Sequence, residues 1–499
     1  MSRNKYLDEF MATFPFEGLT FDDVSLITQY ADFLPPEADV SSPLTDRIML
    51  NMPFVSAAMD TVTESRMAIA LAMLGGIGVV HKNLSPEKQA EMVSDVKSHL
   101  NGLIDDPITF RAGDTLKTVE ATRKAKGYTF SGFPILDEND CVVGILTTRD
   151  IKFAKNTNAK ISDLMTKQVI SAAPSTTFKQ AYDLMIKHRI GKLPLLDAKG
   201  TLVGLYSFTD VRTLIQNVEP MYNRDAKYRL RVAAAIGPGD HKRVEVLAGA
   251  EVDVVVVDTA HGHSKGVIEM TKWVKKNFPA LDVIAGNIGT GEGAVALRDA
   301  GANGVKVGIG PGSICTTRVV AGVGIPQISA IYSATKALEG SIPVIADGGI
   351  RFSGDVAKAL AAGASAVMMG GVLAGTDESP GEKIIYQGRQ YVSYRGMGSL
   401  GAMQSGAGAG SRERYGQSDV RSEDLVPQGI EGIVPYSGTV KQVLTQFIGG
   451  VKASLGYCGC RTLKELRERG RFVRVSSAGQ VEAHPHDIKI TKESPNYRL

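Results

Sequence analysis

The sequence predicts an α/β protein: a closed (β/α)8 TIM barrel of parallel strands, interrupted once by a smaller inserted domain. Three observations lead there. Eight short apolar runs recur, each ending in glycine, aspartate, asparagine or another small polar residue. Stretches with helical spacing separate most of them. A long segment between the helix after the second run and the third run repeats itself at a spacing of about 60 residues.

The predicted strands are Met52–Met59, Gly76–His81, Arg231–Gly237, Val252–Ala260, Asp282–Gly289, Gly304–Gly310, Pro343–Ile350 and Ala366–Leu373. Runs such as Val254 to Val257 are apolar on both faces, as a parallel strand covered by helices requires. Helices are predicted over Ser65–Leu74, Ser85–Leu100, Ser264–Asn277, Gly291–Ala300, Gln327–Glu339 and Gly354–Ala362, each opening on a residue that suits a helix start. In such a barrel the site lies at the carboxyl ends of the strands, so the polar residues that end them are the candidates.

At 499 residues the chain exceeds one ordinary core. We divide it into a first barrel part (1–102), an inserted domain (103–218) and a second barrel part (219–499). Leu400–Asp424, rich in glycine, serine and charge, is expected to be a mobile loop. A net charge of +3 with both signs interspersed offers no stripe for nucleic acid or anionic lipid. No apolar run approaches the ~20 residues of a membrane span, and Met1 to Phe10 is charged where a signal peptide is greasy, so a cytoplasmic protein is expected. Four cysteines in so long a chain make no disulfide framework. Cys458-Gly-Cys460 lacks a second ligand pair, and His261 and His263 lack a third partner, so neither reads as a metal site.

The chemistry concentrates in Gly308-Ile-Gly-Pro-Gly-Ser-Ile-Cys-Thr-Thr-Arg318. Gly308, Gly310 and Gly312 allow tight turning and close approach of N–H groups to an anion, Ser313 adds a hydroxyl, and Cys315 is a nucleophile in a polar, turning segment. Ala346-Asp-Gly-Gly-Ile350 ends the seventh strand and Gly370-Gly371 the eighth, the usual phosphate-binding loops of a barrel. Asp347, which accepts hydrogen bonds only, suits two vicinal ribose hydroxyls; a turn-forming Asp-Gly is the alternative.

Within the insertion, Gly132–Asp137 and Val143–Asp150 recur as Gly191–Asp197 and Val203–Asp210, an internal duplication. The pattern resembles a pair of cystathionine-β-synthase-type (CBS) repeats, a family that often binds adenine or guanine nucleotides. The resemblance places Thr147, Asp150, Ser207 and Asp210 where ribose and phosphates of ATP or GTP are held. Helix capping is the competing reading of all four.

Across its whole length the chain resembles the inosine-5′-monophosphate (IMP) dehydrogenase family. The matching motifs are Ser56–Thr63, Gly75–Gly78, Asp258–Ser264, Ala285–Asn287, the cysteine loop, Ala346–Gly349 and Tyr394–Ser399. The resemblance implies that IMP phosphate is held by Ser313, Gly349, Gly370, Gly371 and Tyr394, its ribose by Asp347, and its base near Met59, Met397, Gly398 and Gln428. It implies NAD at Asp258, His261, Asn287 and Gly308. K+ is implied at the carbonyls of Gly310, Gly312 and Cys315, completed by Glu482, Ala483 and His484 of a neighbouring subunit. A homotetramer follows, with octamers left open.

The implied reaction has two halves. Cys315 adds to C2 of IMP, hydride passes to NAD+, and the thioimidate is hydrolysed to xanthosine monophosphate. Arg414 and Tyr415 match the pair on the flap that replaces NADH, Arg414 being the implied base, and Thr317 matches a proton-relaying threonine. Many microbial members carry Glu where this chain has Gln428, which cannot take a proton. GMP reductase shares the barrel, the cysteine loop and the phosphate loops but typically lacks the insertion and the Arg-Tyr flap, both present here; a non-catalytic nucleotide sensor is the other alternative.

Overall fold

The structure, a computed structural model, describes residues 4–15, 17–99, 103–104, 107–126, 132–154, 156–216, 221–405, 409–492 and 494–497. The expected domain limits at 102, 218 and 219 and the loop residues 406–408 therefore lie outside the described residues.

Eight parallel strands close into a barrel: β1 Phe54–Ser56, β2 Ile77–Val80, β3 Ala233–Ile236, β4 Val254–Asp258, β5 Asp282–Ile288, β6 Gly304–Val307, β7 Val344–Asp347 and β8 Ala366–Met369. Closure runs through β8 onto β1, with Val367 opposite Phe54, and β1 onto β2, with Val55 opposite Ile77. Each strand is a short core of one predicted run. Because side chains alternate across a strand, Val55, Ile77, Val254, Ile284 and Ile345 fill the barrel, whereas Val80, Val255, Val283, Val305 and Val344 face the helices.

The helices fall where the pattern put them, at Ser65–Met73, Pro86–Ser98, Lys265–Asn277, Gly291–Asp299, Gln327–Leu338 and Ser353–Ala361. Thr290 caps one of them by accepting from Gly293 N at 3.2 Å. His241–Gly249, after β3, is a further helix. Its basic opening, His241-Lys-Arg243, opposes the usual charge preference of a helix start, which hid it from the pattern. Beyond β8 the chain adds an antiparallel sheet that the sequence pattern did not reveal: β9 Lys383–Tyr386, β10 Arg389–Arg395 and β11 Glu431–Pro435.

Leu400–Asp424 is not one structureless loop. It contains helices Leu400–Gln404 and Ala409–Arg414, with Ala402, Met403 and Ser411 buried. Glycine content suggested a loop, but burial against the barrel supplies what propensity lacks.

The chain divides into two compact units, Met1–Lys97 with Met221–Asp225 and Leu230–Leu499, and Ser98–Pro220 with Ala226–Arg229. The return at 221–225 belongs to the barrel because Asn223 N bonds to Ala72 O at 2.7 Å and its side chain to Gly76 O at 3.0 Å. In the second unit the duplication is visible atom by atom. Asp137 Oδ1 accepts from Asn139 N and Cys141 N at 2.8 and 3.0 Å; Asp197 Oδ1 accepts from Lys199 N and Thr201 N at 2.8 and 2.9 Å. Each copy has its own core, around Phe133 and Ile135 and around Leu193 and Leu195.

Candidate active site

The cysteine loop follows β6, and its glycines are required by space. A Cβ at Gly308 would strike the carbonyl oxygen of Asp347, and one at Gly310, whose φ is +78°, would lie 2.6 Å from Arg318 Cγ. Cys315 N bonds to Gly312 O, Thr316 N to Gln428 O and Ile430 N to Ile314 O, each at 3.0 Å. These bonds tie the loop to the segment entering β11 and fix the half-buried Cys315 thiol, which donates to Thr317 Oγ1 at 3.2 Å.

On one side of the thiol lies an end lined by glycines and hydroxyls. A Cβ at Gly370 would stand 2.7 Å from Tyr394 Oη and 3.3 Å from Met59 Sδ, and one at Gly371 3.6 Å from Ser313 Oγ. Burial, then Asp347, pushes the Tyr394 phenol up, so it stays a proton donor. Gly349, at φ +81°, packs on Pro311. Ser313, Gly349, Gly370, Gly371 and Tyr394 line a cavity of about 1100 Å³ together with Arg351 and Lys441.

On the other side stands a chain of charges. Asp347 Oδ2 accepts from Asn287 Nδ2 at 2.8 Å and from Lys306 Nζ at 2.6 Å. Lys306 Nζ also bonds to Asn287 Oδ1 and lies 2.8 Å from Asp258 Oδ1, while Arg414 pairs with Asp258 Oδ2. Lys306 is 1% exposed at its side chain and was not among the residues singled out from the sequence. Its signal was there: a lysine between Val305 and Val307, at the barrel-facing position of a strand whose neighbours are wholly apolar.

Arg414 reaches Asp258 because the 400–424 segment docks on the strand ends. Glu413 Oε2 takes a 2.7 Å ion pair from the buried Lys82 just after β2, whose ammonium burial pushes down and Glu413 partly restores. A Cβ at Gly237, after β3, would collide with the Glu413 carboxylate, and Ala260 N donates to Arg414 O at 3.0 Å. Tyr415 lies over Gly398, where a Cβ would stand 2.7 Å from its ring. Burial raises the Tyr415 phenol, with Cys315 adding to the rise and Arg414 opposing it. Docking leaves a cavity of about 130 Å³ beside the thiol, lined by Met59, Asn287, Gly308, Asp347, Met397, Arg414, Tyr415 and Gln428.

The chain matches the family described as IMP dehydrogenase / GMP reductase domain over residues 18–486. It is 53% identical to inosine-5′-monophosphate dehydrogenase of Aquifex aeolicus, covering 96% of this chain and 98% of that protein. The chain belongs to the IMP dehydrogenase / GMP reductase family. The enzymes of the same name from Escherichia coli and Staphylococcus aureus are 50% and 51% identical, over 97% and 96% of this chain and 98% of each relative. Among solved structures, a cysteine-to-alanine GMP reductase from Trypanosoma brucei with guanosine 5′-monophosphate matches at a TM-score of 0.85 and 36% identity, covering 96% of this chain and 100% of that one. That relative matches along nearly the whole of this chain.

Other expected residues of this family member have local surroundings of their own. His261 is exposed on the loop after β4, its ring 6.5 Å from that of His263. Glu482 ends helix Ser477–Glu482; His484 Nδ1 meets Tyr497 Oη at 2.9 Å, and its ring lies 6.3 Å from that of Phe352. Thr147 caps helix Thr148–Lys152, and Asp150 Oδ2 accepts from Thr147 N and Oγ1, both at 2.7 Å. Ser207 ends strand Leu202–Ser207, and Asp210 lies in the first turn of helix Phe208–Gln216. Among the described residues no group of three or more His, Cys, Asp or Glu could hold a metal ion, and no helix is long and apolar enough to cross a membrane.

Proposed function

We propose that the chain oxidises IMP to xanthosine 5′-monophosphate with NAD, through a thioimidate on Cys315. One observation carries the reading: the Cys315 thiol stands between an anion-binding end, Ser313, Gly349, Gly370, Gly371 and Tyr394, and the carboxylates Asp347 and Asp258. Relatives at 50–53% identity that carry the IMP dehydrogenase name support it. Phosphate bound at the glycines and ribose hydroxyls on Asp347 aim the base, between Met59, Met397, Gly398 and Gln428, at the thiol. Addition of the thiolate makes C2 tetrahedral, from which hydride can leave. When bound, nicotinamide accepts that hydride.

Asp258, a buried carboxylate at the end of β4 that can only accept hydrogen bonds, fits the two hydroxyls of a cofactor ribose. His261, on the rim, is assigned to the adenine, and Asn287 and Gly308 to the nicotinamide side. Arg414 claims the same carboxylate, so cofactor and docked segment use Asp258 in turn. A guanidinium ordinarily stays protonated in a protein, so the assignment of Arg414 as base rests on the family resemblance. Thr317, bonded to the thiol, is placed to pass a proton from water.

We assign K+ to the carbonyls of Gly310, Gly312 and Cys315. Three carbonyls of one loop are an incomplete shell, which supports completion by Glu482, Ala483 and His484 of a second subunit and hence a tetramer. The two repeats are assigned to ATP or GTP at Thr147, Asp150, Ser207 and Asp210, and the protein to the cytoplasm.

The test mixes protein, IMP, NAD+ and K+ and follows NADH absorbance. The solved GMP reductase relative keeps a second reading open. No NADH from IMP, with consumption of a reduced nicotinamide cofactor on GMP, establishes that reading; neither reaction leaves a nucleotide sensor.

A further inference from the structure

Lys306 occupies a position that packing alone does not explain. It is buried inside the barrel, in a strand whose other residues are Gly304, Val305 and Val307, and its ammonium faces three oxygens on three strands: Asp258 on β4, Asn287 on β5 and Asp347 on β7. A buried ammonium costs several kcal/mol to desolvate and remains charged only when paired. Two carboxylates that close to one point repel each other unless a cation stands between them.

Charge arithmetic then separates two states of the site. Asp258 and Asp347 with Lys306 sum to one negative charge, and Arg414 on Asp258 brings the group to zero. With the 400–424 segment withdrawn, the group lacks one positive charge. An oxidised nicotinamide ring carries one; a reduced ring carries none.

We propose that Lys306 is a positioning residue that joins the substrate carboxylate Asp347 to the cofactor carboxylate Asp258, and that it sets the site to accept one cationic group at a time. That group is the oxidised nicotinamide before hydride transfer and Arg414 after it. The proposal rests on the assignment of Asp347 to the substrate ribose and Asp258 to the cofactor. Reduction removes the cofactor's attraction to the carboxylates and leaves the charge to be met by Arg414, which orders the exchange that separates the two half-reactions.

The test is a double-mutant cycle on IMP binding by calorimetry, which needs no turnover. Lys306→Met leaves two carboxylates facing each other and a dianionic substrate, and weakens IMP binding by about tenfold or more. In the Asp258→Asn background the same change costs about threefold or less, because the opposing carboxylate is gone. A merely structural lysine gives equal losses in both backgrounds. That outcome, or a loss below about twofold in Lys306→Met alone, overturns the proposal. If Lys306→Met does not fold, Lys306→Gln keeps an N–H donor without the charge and completes the same cycle. Binding of IMP by unmodified protein, and its loss in Asp347→Ala, tests the underlying assignment separately. A second readout follows the cofactor: Cys315→Ala protein, which binds IMP without turning over, holds NAD+ more tightly than NADH in the presence of IMP, by fluorescence titration. Equal affinities for the two forms would overturn the charge rule.

Discussion

Arg414 and Asp258 form an ion pair across the mouth of the barrel, joining a helix that begins at Ala409 to the last residue of β4. Two neighbouring contacts hold it there: Glu413 on Lys82 at 2.7 Å and Ala260 N on Arg414 O at 3.0 Å. The carboxylate assigned to the cofactor is thus engaged by the chain itself, and the state captured is the one assigned to the hydrolytic half-reaction.

Arg414→Ala frees Asp258 and removes the group assigned to the water step. Steady-state turnover is expected to fall by about two orders of magnitude while a pre-steady-state burst of NADH persists. Rapid-mixing absorbance checks this; a burst lost together with the steady rate would place Arg414 in the first half-reaction.

Gly237→Ala puts a methyl group where the Glu413 carboxylate sits. The Glu413 carboxylate must swing away from Lys82, which loosens the docked segment, so NAD+ is expected to compete better, lowering its KM, while kcat falls. Lys82→Met should give the same split by removing the partner of Glu413. Kinetics on both variants compare them, and a raised KM for NAD+ would contradict the shared use of Asp258.

Cys315→Ala is expected to abolish turnover yet leave IMP binding within about tenfold, because Ser313, Asp347, Gly370 and Tyr394 are supplied by other positions. Calorimetry and an NADH assay measure the two. Activity above a few per cent of wild type, as an order of magnitude, would remove the thiol from its role.

Joining Lys97 to Met221 through a short linker removes most of the second unit but keeps Asn223 and its bonds to Ala72 and Gly76. The barrel should fold and keep activity within about threefold, since every residue assigned to catalysis lies in the first unit. Any response to ATP or GTP should vanish. A folded but inactive product would mean that the second unit supports the site directly.

In the insertion, Asp150→Ala with Asp210→Ala should weaken ATP and GTP binding without changing IMP binding. Loss of the Thr147–Asp150 cap alone costs about 1 kcal/mol of stability. Unchanged nucleotide binding, read by calorimetry, would reduce Asp150 to its capping role.

The sequence by itself determined the barrel, the duplication and the cysteine loop. Eight apolar runs can be buried on both faces only between helices and neighbours, and the glycines at 308 and 310 have no alternative where a side chain would meet Asp347 or Arg318. What only the tertiary structure decided are contacts between residues far apart in the chain. No pattern local to 400–424 foretells that Glu413 meets Lys82 across 331 positions, or that Ala409–Arg414 is helical. Lys306 announced itself as an anomaly in an apolar strand, but its meaning depended on closing the barrel. Strands β4, β5, β6 and β7 are adjacent only in the closed sheet, and only there do Asp258, Asn287 and Asp347 converge on one ammonium.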